Sequence, residues 1–362
     1  MTSQAFHPLS PRLKGKATRT ASQSEIQMPP QRSRSGDPLP RDLPVPNPLP
    51  EGTSLSYATR QGAAFLGDGA ALLRRVPTNS VNLALTSPPF ALRRKKEYGN
   101  VHADDYIAWF LGFATEARRV LRDDGSLVID IGGTWNEGLP TRSLYHFELL
   151  VDLCRRVGLH LAQEFYWYNP SKLPSPAEWV NVRRLRVKDA VNCVWWLSKT
   201  PFPKADNRRV LTGYSESMQG LLRKGYVAKR RPSGWDISEK FGRDNGGAIP
   251  PNLLTIANTD SNGQYLKRCR EAGMGPHPAR FPPDLPRFFI RFLTNPGDVV
   301  LDFLAGSNVT GWVAEDENRR WLAFELVEDY LTTSKFRWEP DEILPVSARP
   351  RPTSRPSPVP AA

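Results

Sequence analysis

Residues 299–326, VVLDFLAGSNVTGWVAEDENRRWLAFEL, hold in succession an apolar run, a turn of small residues, the start of an amphipathic helix at VTGWVAEDE and a second apolar run, RWLAFEL (320–326). Short apolar runs that alternate with segments of helical period predict strands and helices taking turns about a mainly parallel sheet. The pattern repeats upstream. VNLALT (81–86) reads as a buried strand, and Asp104 to Leu121 has helical spacing, with Ile107, Phe110, Leu111, Ala114 and Val120 on one side. SLVIDIG (126–132) follows the turn signal DDG as a further strand, and residues 142–157 read as a helix. HLAQEFYWYN (160–169) and AVNCVWWLSK (190–199) predict two strands able to pair antiparallel, with Trp195 and Trp196 in the core, and LPRFFIRFLT (285–294) an amphipathic helix. The fold class is α/β.

Outside this alternation the composition changes. Ten prolines lie in residues 1–50 and seven in 340–362, so residues 1–52 and 339–362 are expected to be disordered Pro-rich tails flanking one domain over 53–338. From Lys199 to Arg243 there are eleven Lys/Arg against four Asp/Glu, with Tyr214, Tyr226 and Trp235 among them, and periodic structure is expected to resume only near Pro286. Loop-rich sequence of this length inside a domain is commonly functional, and its mix of cations, amides and aromatics suits nucleic acid.

The whole chain agrees with that bias. Its 362 residues carry 49 Lys+Arg against 37 Asp+Glu, a net +12 that favours a polyanionic partner. Cys154, Cys193 and Cys269 stand far apart, which excludes a disulfide framework and a CxxC zinc site and fits a reducing cytoplasm. The five histidines offer no metal-ligand spacing, and His277 reads as structural. With a mean hydropathy of −0.47 and no apolar run near the roughly 18 residues of a spanning helix, membrane and secreted classes are not expected.

Two constellations carry chemistry. Thr86-Ser87-Pro88-Pro89-Phe90 directly follows a predicted strand. Consecutive prolines remove two backbone donors and fix two φ angles, leaving a rigid turn of free carbonyls beside a hydroxyl and an aromatic ring. Such a turn suits a planar base with an exocyclic amine. Asp302-Phe303-Leu304-Ala305-Gly306-Ser307-Asn308 leaves another strand into a helix, where small residues let a ligand approach the helix amino terminus. Glu325 ends the next strand, where a carboxylate can accept both hydroxyls of a ribose. Each turn alone is also compatible with ordinary packing.

Together, TSPPF and LDFLAGS resemble the catalytic and cofactor motifs of the S-adenosylmethionine-dependent DNA amino-methyltransferases. HPARFPPDLPRFFIRFLT (277–294) is similar to the segment that precedes the cofactor motif in that family. The order here, catalytic motif, basic variable region, cofactor motif, is the circularly permuted order of the beta group. Serine in TSPPF, within GDGAALLRRVPTNSVNLALTSPPFALRRKKEYGN (67–100), resembles the cytosine-N4 enzymes. The resemblance covers roughly residues 60–338. It implies a Rossmann-like methyltransferase sheet with 199–275 as an inserted target-recognition region. It also implies a site-specific enzyme that methylates cytosine N4 in double-stranded DNA, with a restriction endonuclease of the same specificity as a further partner.

Carried over residue by residue, the resemblance implies that Ser87 and the Pro88 carbonyl hold the target amine. Pro89 stiffens the turn and Phe90 stacks on the flipped base. Asp302, Phe303, Gly306 and Ser307 surround the methionine part of the cofactor, Glu325 holds its ribose, and Asp68 contacts its adenine end. Asn308 stands where a glycine is common, and Ala305 and Val309 also depart from the usual pattern. Arg93, Arg94, Lys95 and Lys96, and the run Arg183, Arg184, Arg186 and Lys188, are candidates for phosphate contact. An adenine-N6 enzyme of the same architecture and a non-catalytic DNA-binding protein stay open as alternatives.

Overall fold

The computed structural model describes residues 39–90, 103–225, 232, 239–259 and 263–345. Among them the strands are β1 (Ser54–Ala58), β2 (Gly62–Leu66), β3 (Val81–Thr86), β4 (Leu121–Ile131), β5 (His160–Tyr168), β6 (Val191–Ser198), β7 (Leu253–Thr255), β8 (Val299–Asp302) and β9 (Arg320–Glu325). They form one sheet in the order β1-β2-β9-β8-β3-β4-β6-β5-β7. The run from β2 through β9, β8 and β3 to β4 is parallel throughout. β6 pairs antiparallel with β5, as the sequence predicts, and antiparallel with β4 as well.

The α-helices of the described residues are α1 (Gly69–Leu73), α2 (Ala103–Val120), α3 (Tyr145–Arg155), α4 (Glu216–Lys224), α5 (Gln264–Glu271), α6 (Asp284–Leu293), α7 (Val309–Asp316) and α8 (Glu328–Ser334). Strand side chains alternate between faces, so each strand feeds two cores. Ala84 of β3, Leu301 of β8 and Phe324 of β9 pack with α1, α2 and α3, among them Leu72, Phe110 and Leu149. Leu83 and Leu85, Val300 and Ala323 pack on the other side with α6 and α7, among them Phe289 and Val313. Trp195 and Trp196 fall on opposite faces of β6 and are both buried.

This topology decides where a ligand sits. β3 leads through α2 to β4 on one side, while β8 leads through α7 to β9 on the other. The chain therefore diverges at the carboxyl ends of the adjacent strands β3 and β8, a switch point of the kind where α/β sheets bind ligands. TSPPF leaves β3 there and DFLAGS leaves β8.

Three expectations need correction. Residues 39–52 are not tail: Leu43 is buried, and Leu39 and Val45 pack against the same core. At the other end a turn of 3-10 helix (Pro340–Glu342) and the Leu344 amide, which donates to the Ala58 carbonyl at 2.8 Å, carry the fold past residue 339. Proline-rich composition hid these contacts because a few well-spaced apolar residues suffice to dock an extended strand of chain. The region 199–275 is also more regular than expected, since it contributes α4, α5 and the strand β7, which pairs with β5. These elements are three to nine residues long, too short for periodicity to declare them. Among the described residues no helix is long and apolar enough to cross a membrane.

Candidate active site

A cavity of about 500 Å³ opens over the switch point. Ser87, Pro88, Pro89 and Phe90 line it from the β3 side, Phe303, Gly306 and Ser307 from the β8 side, with Glu325 at the end of β9 and Asp68 at the start of α1. Nine of the ten residues singled out from the sequence thus meet in one place. Asp302 does not line the cavity.

On the β3 side, β4 and β6 add two residues that the sequence analysis did not single out. Asp130, buried in β4, accepts a hydrogen bond from the Ser87 hydroxyl at 3.0 Å and another from the Asn192 amide on β6 at 3.1 Å. Asp130 stands opposite Val194 in the β4–β6 ladder, so Asn192 lies two residues along. Burial pushes the Asp130 carboxyl up to about 6, while the bonds from Asn192 and Ser87 and the nearby Lys172 ammonium hold it down in part. Because the Ser87 proton is committed to Asp130, its oxygen lone pairs are left to accept from a ligand. One signal did exist: an Asp inside SLVIDIG, in a strand buried on both faces, requires partners.

Phe90 occupies a space that Gly132 leaves open. A Cβ on Gly132 would lie 2.5 Å from the ring, so only glycine admits it there. Trp167 at the end of β5 and Asn169 and Lys172 beyond it continue the wall, and the Trp167 indole donates to the Ile256 carbonyl at 2.9 Å, tying that wall to the segment after β7. Arg93, Arg94, Lys95 and Lys96 lie outside the described residues, as do Tyr226 and Trp235.

The β8 side is built from backbone amides. Asp302 lies buried behind the turn, accepting from the Thr310 hydroxyl at 2.8 Å and the Leu304 amide at 3.2 Å, and burial pushes it up to about 6. Glu325 accepts from the Gly306 amide at 2.7 Å and the Val327 amide at 2.9 Å, and its burial raises its pKa. Gly306 has φ +52, a conformation that favours glycine, with the His277 ring directly beneath it. Burial lowers His277 to about 4, helped by Arg280 and Arg337, which makes it a neutral ring at pH 7 and suits a structural role.

Asn308, the unusual residue of the turn, adopts φ +49 as the N-cap of α7. Its side-chain oxygen accepts from the Gly311 amide at 3.0 Å and its amide donates to the Tyr57 hydroxyl at 2.9 Å. Asparagine tolerates the left-handed region better than most residues, so it replaces a glycine here and adds two bonds. The walls between the turns are aromatic: Phe113 stacks on Phe303 with centroids 5.7 Å apart, and Trp109 lies edge-on to Phe113 at 5.1 Å. Asp68 caps α1, accepting from the Ala71 amide at 2.8 Å.

Comparison with known proteins agrees with this geometry. The chain is 53% identical over 290 residues to the type II methyltransferase M.PvuII of Proteus hauseri, covering 79% of this chain and 86% of that one. The solved structure of the PvuII DNA methyltransferase (cytosine-N4-specific) matches with a TM-score of 0.66 at 47% identity, over 80% of this chain and 90% of that chain. Similarity to the DNA adenine methyltransferase YhdJ of Escherichia coli (strain K12) is lower, 25% over 73% of this chain and 78% of that one. The profile of the N6/N4 DNA methylases matches residues 81–336, a span that contains both turns, and the chain belongs to that family.

Proposed function

We propose that this chain transfers a methyl group from S-adenosylmethionine to the N4 amine of a cytosine flipped out of double-stranded DNA. The observation that carries it is the Ser87–Asp130 hydrogen bond, at the end of β3, inside the same cavity as the Gly306–Glu325 turn. The 47% identity to the solved PvuII DNA methyltransferase (cytosine-N4-specific) supports cytosine as the base.

The residues present fit the cofactor. Its adenine matches the aromatic wall of Trp109, Phe113 and Phe303 beside Asp68, and its ribose hydroxyls match the Glu325 carboxylate. The amide-rich turn at Gly306 and Ser307 suits its methionine end. When bound, S-adenosylmethionine supplies an electrophilic methyl carbon.

The chain's own part is to make the amine a nucleophile. An exocyclic amine is weak because its lone pair is delocalised into the ring. Ser87 Oγ accepts one amine proton, since its own is held by Asp130, and the Pro88 carbonyl accepts the second, so both bonds localise the lone pair on nitrogen. The proton released on transfer passes through Ser87 to Asp130 Oδ2, a carboxyl whose burial raises its pKa to about 6. Phe90 stacks on the flipped base, offsetting part of the few kcal/mol that unstacking costs. Region 199–275 contributes target recognition, and a restriction endonuclease of the same specificity shares the cytoplasm with this enzyme.

The test is to incubate the chain with unmethylated DNA and S-adenosylmethionine and to analyse the nucleosides by mass spectrometry. N4-methylcytosine is expected. N6-methyladenine would overturn the choice of base, and no methylated base would overturn catalysis.

A further inference from the structure

The connection between β5 and β6, residues 169–190, displays large aliphatic side chains to water beside the cavity mouth. Leu173 is 80% exposed and Val187 85%, with Val182 and Leu185 also exposed between them. Single exposed aliphatics are ordinary; here four share one connection, both of whose ends line the cavity, through Asn169 and Lys172 at one and Ala190 at the other.

The connection is braced before any partner arrives. Asp189 pairs with Arg142 at 2.9 Å, and Arg186 lies 4.0 Å over the Trp135 ring while donating to the Pro140 carbonyl at 2.6 Å. The Lys188 ammonium reaches across to the Pro170 and Lys172 carbonyls at 3.3 and 3.1 Å. That clasp holds the two arms together, and Leu173 and Val187 are each the next residue along from one of its ends. Ordering such a loop costs conformational entropy, and what it holds in place is an apolar tip facing water.

Charge identifies the occupant. Arg184, next to these aliphatics, has no ion-pair partner among the described residues, nor has Lys172, which faces the cavity near Asp130, and Arg183, paired with Glu178, remains exposed. Cations around an apolar tip match a nucleic-acid duplex, whose phosphates flank a stack that apolar side chains can enter. We propose that Leu173, with Val187 behind it, enters the duplex at the target step and fills the space that the flipped base vacates. This inference rests on the DNA-methylating function proposed above.

The experiment uses the full chain and two duplexes carrying a site mapped by its own methylation. In one the target cytosine is paired, and in the other it faces an abasic position and is already unpaired. The Leu173→Ser/Val187→Ser double variant, at surface positions, is first required to match the wild-type thermal midpoint. On the paired duplex its kcat/KM should fall about tenfold or more, and on the unpaired one it should stay within about twofold of wild type, because no base pair is left to break. Equal loss on both duplexes, or loss on neither, would overturn the wedge. So would a concentration-dependent dimer of the wild type, seen by sedimentation, that the variant loses, since the tip would then serve self-association. A wild type that methylates neither duplex would instead overturn the function on which the wedge rests.

Discussion

Asp130 and Asp302 make a controlled comparison within one molecule. Both are buried at or near the carboxyl end of a parallel strand, both stand behind one of the two turns, and burial pushes both up to about 6. Their partners differ. Asp302 bonds to Thr310 and to its own turn, so its charge is spent on holding backbone in place. Asp130 bonds to Ser87 and Asn192, and both of these line the cavity together with Asp130 itself. Equal titration with unequal partners teaches that a perturbed carboxyl marks burial first, and that its neighbours decide whether it takes part in chemistry.

The comparison breaks most sharply at Ser87. Ser87→Ala should lower kcat by about 10²–10³-fold, the range for losing one preorganised partner of the reacting group, with S-adenosylmethionine affinity by calorimetry within about twofold of wild type. Asp130→Asn should cost about 10²-fold, and the double variant little more, because the two act as a unit. Additive losses in single-turnover rates would separate them.

Acid provides the next test. Asp130 is ionised above about 6, so kcat/KM should fall as pH drops through that value, and Asp130→Asn should flatten the acid limb although Asp302 still titrates. Stability moves the other way. Both carboxyls are raised from 3.8, so the fold binds protons that the unfolded chain has released, and their stabilising contribution is lost as pH rises from about 4 to 6. A pH–rate profile of Asp130→Asn that keeps its acid limb would transfer the titration to another group.

On the cofactor side, Glu325→Ala should weaken S-adenosylmethionine binding about tenfold, equal to about 1.4 kcal/mol, while saturating cofactor restores most of the turnover. Equal calorimetric affinities would remove the ribose role. The smallest effect is expected at Asp302→Asn, which keeps an acceptor for Leu304 and should leave kcat within about threefold; a loss as large as that of Asp130→Asn would erase the distinction between the two aspartates.

Legibility in the sequence followed the range of the interactions. TSPPF and LDFLAGS could be read because each is a contiguous turn whose residue types have local physical reasons, and the strands next to them because their apolar runs are unbroken. Asp130 could not be assigned to Ser87 without the β3–β4 register, nor to Asn192 without the β4–β6 register, and only the assembled sheet defines them. Asn308 looked like a departure because its justification, the Tyr57 hydroxyl, lies on β1, far away in the chain. The tail boundaries failed for a similar reason, since Leu43 and Leu344 gain their meaning from what they dock on.

The contact between Leu344 and Ala58 has a practical consequence. It brings residue 344 to β1, the sheet edge opposite β7, and so away from the hairpin that flanks the cavity. A DNA-targeting module joined directly at residue 345 would start from the sheet edge far from the cleft, and methylation could be addressed to a chosen locus without rebuilding that cleft.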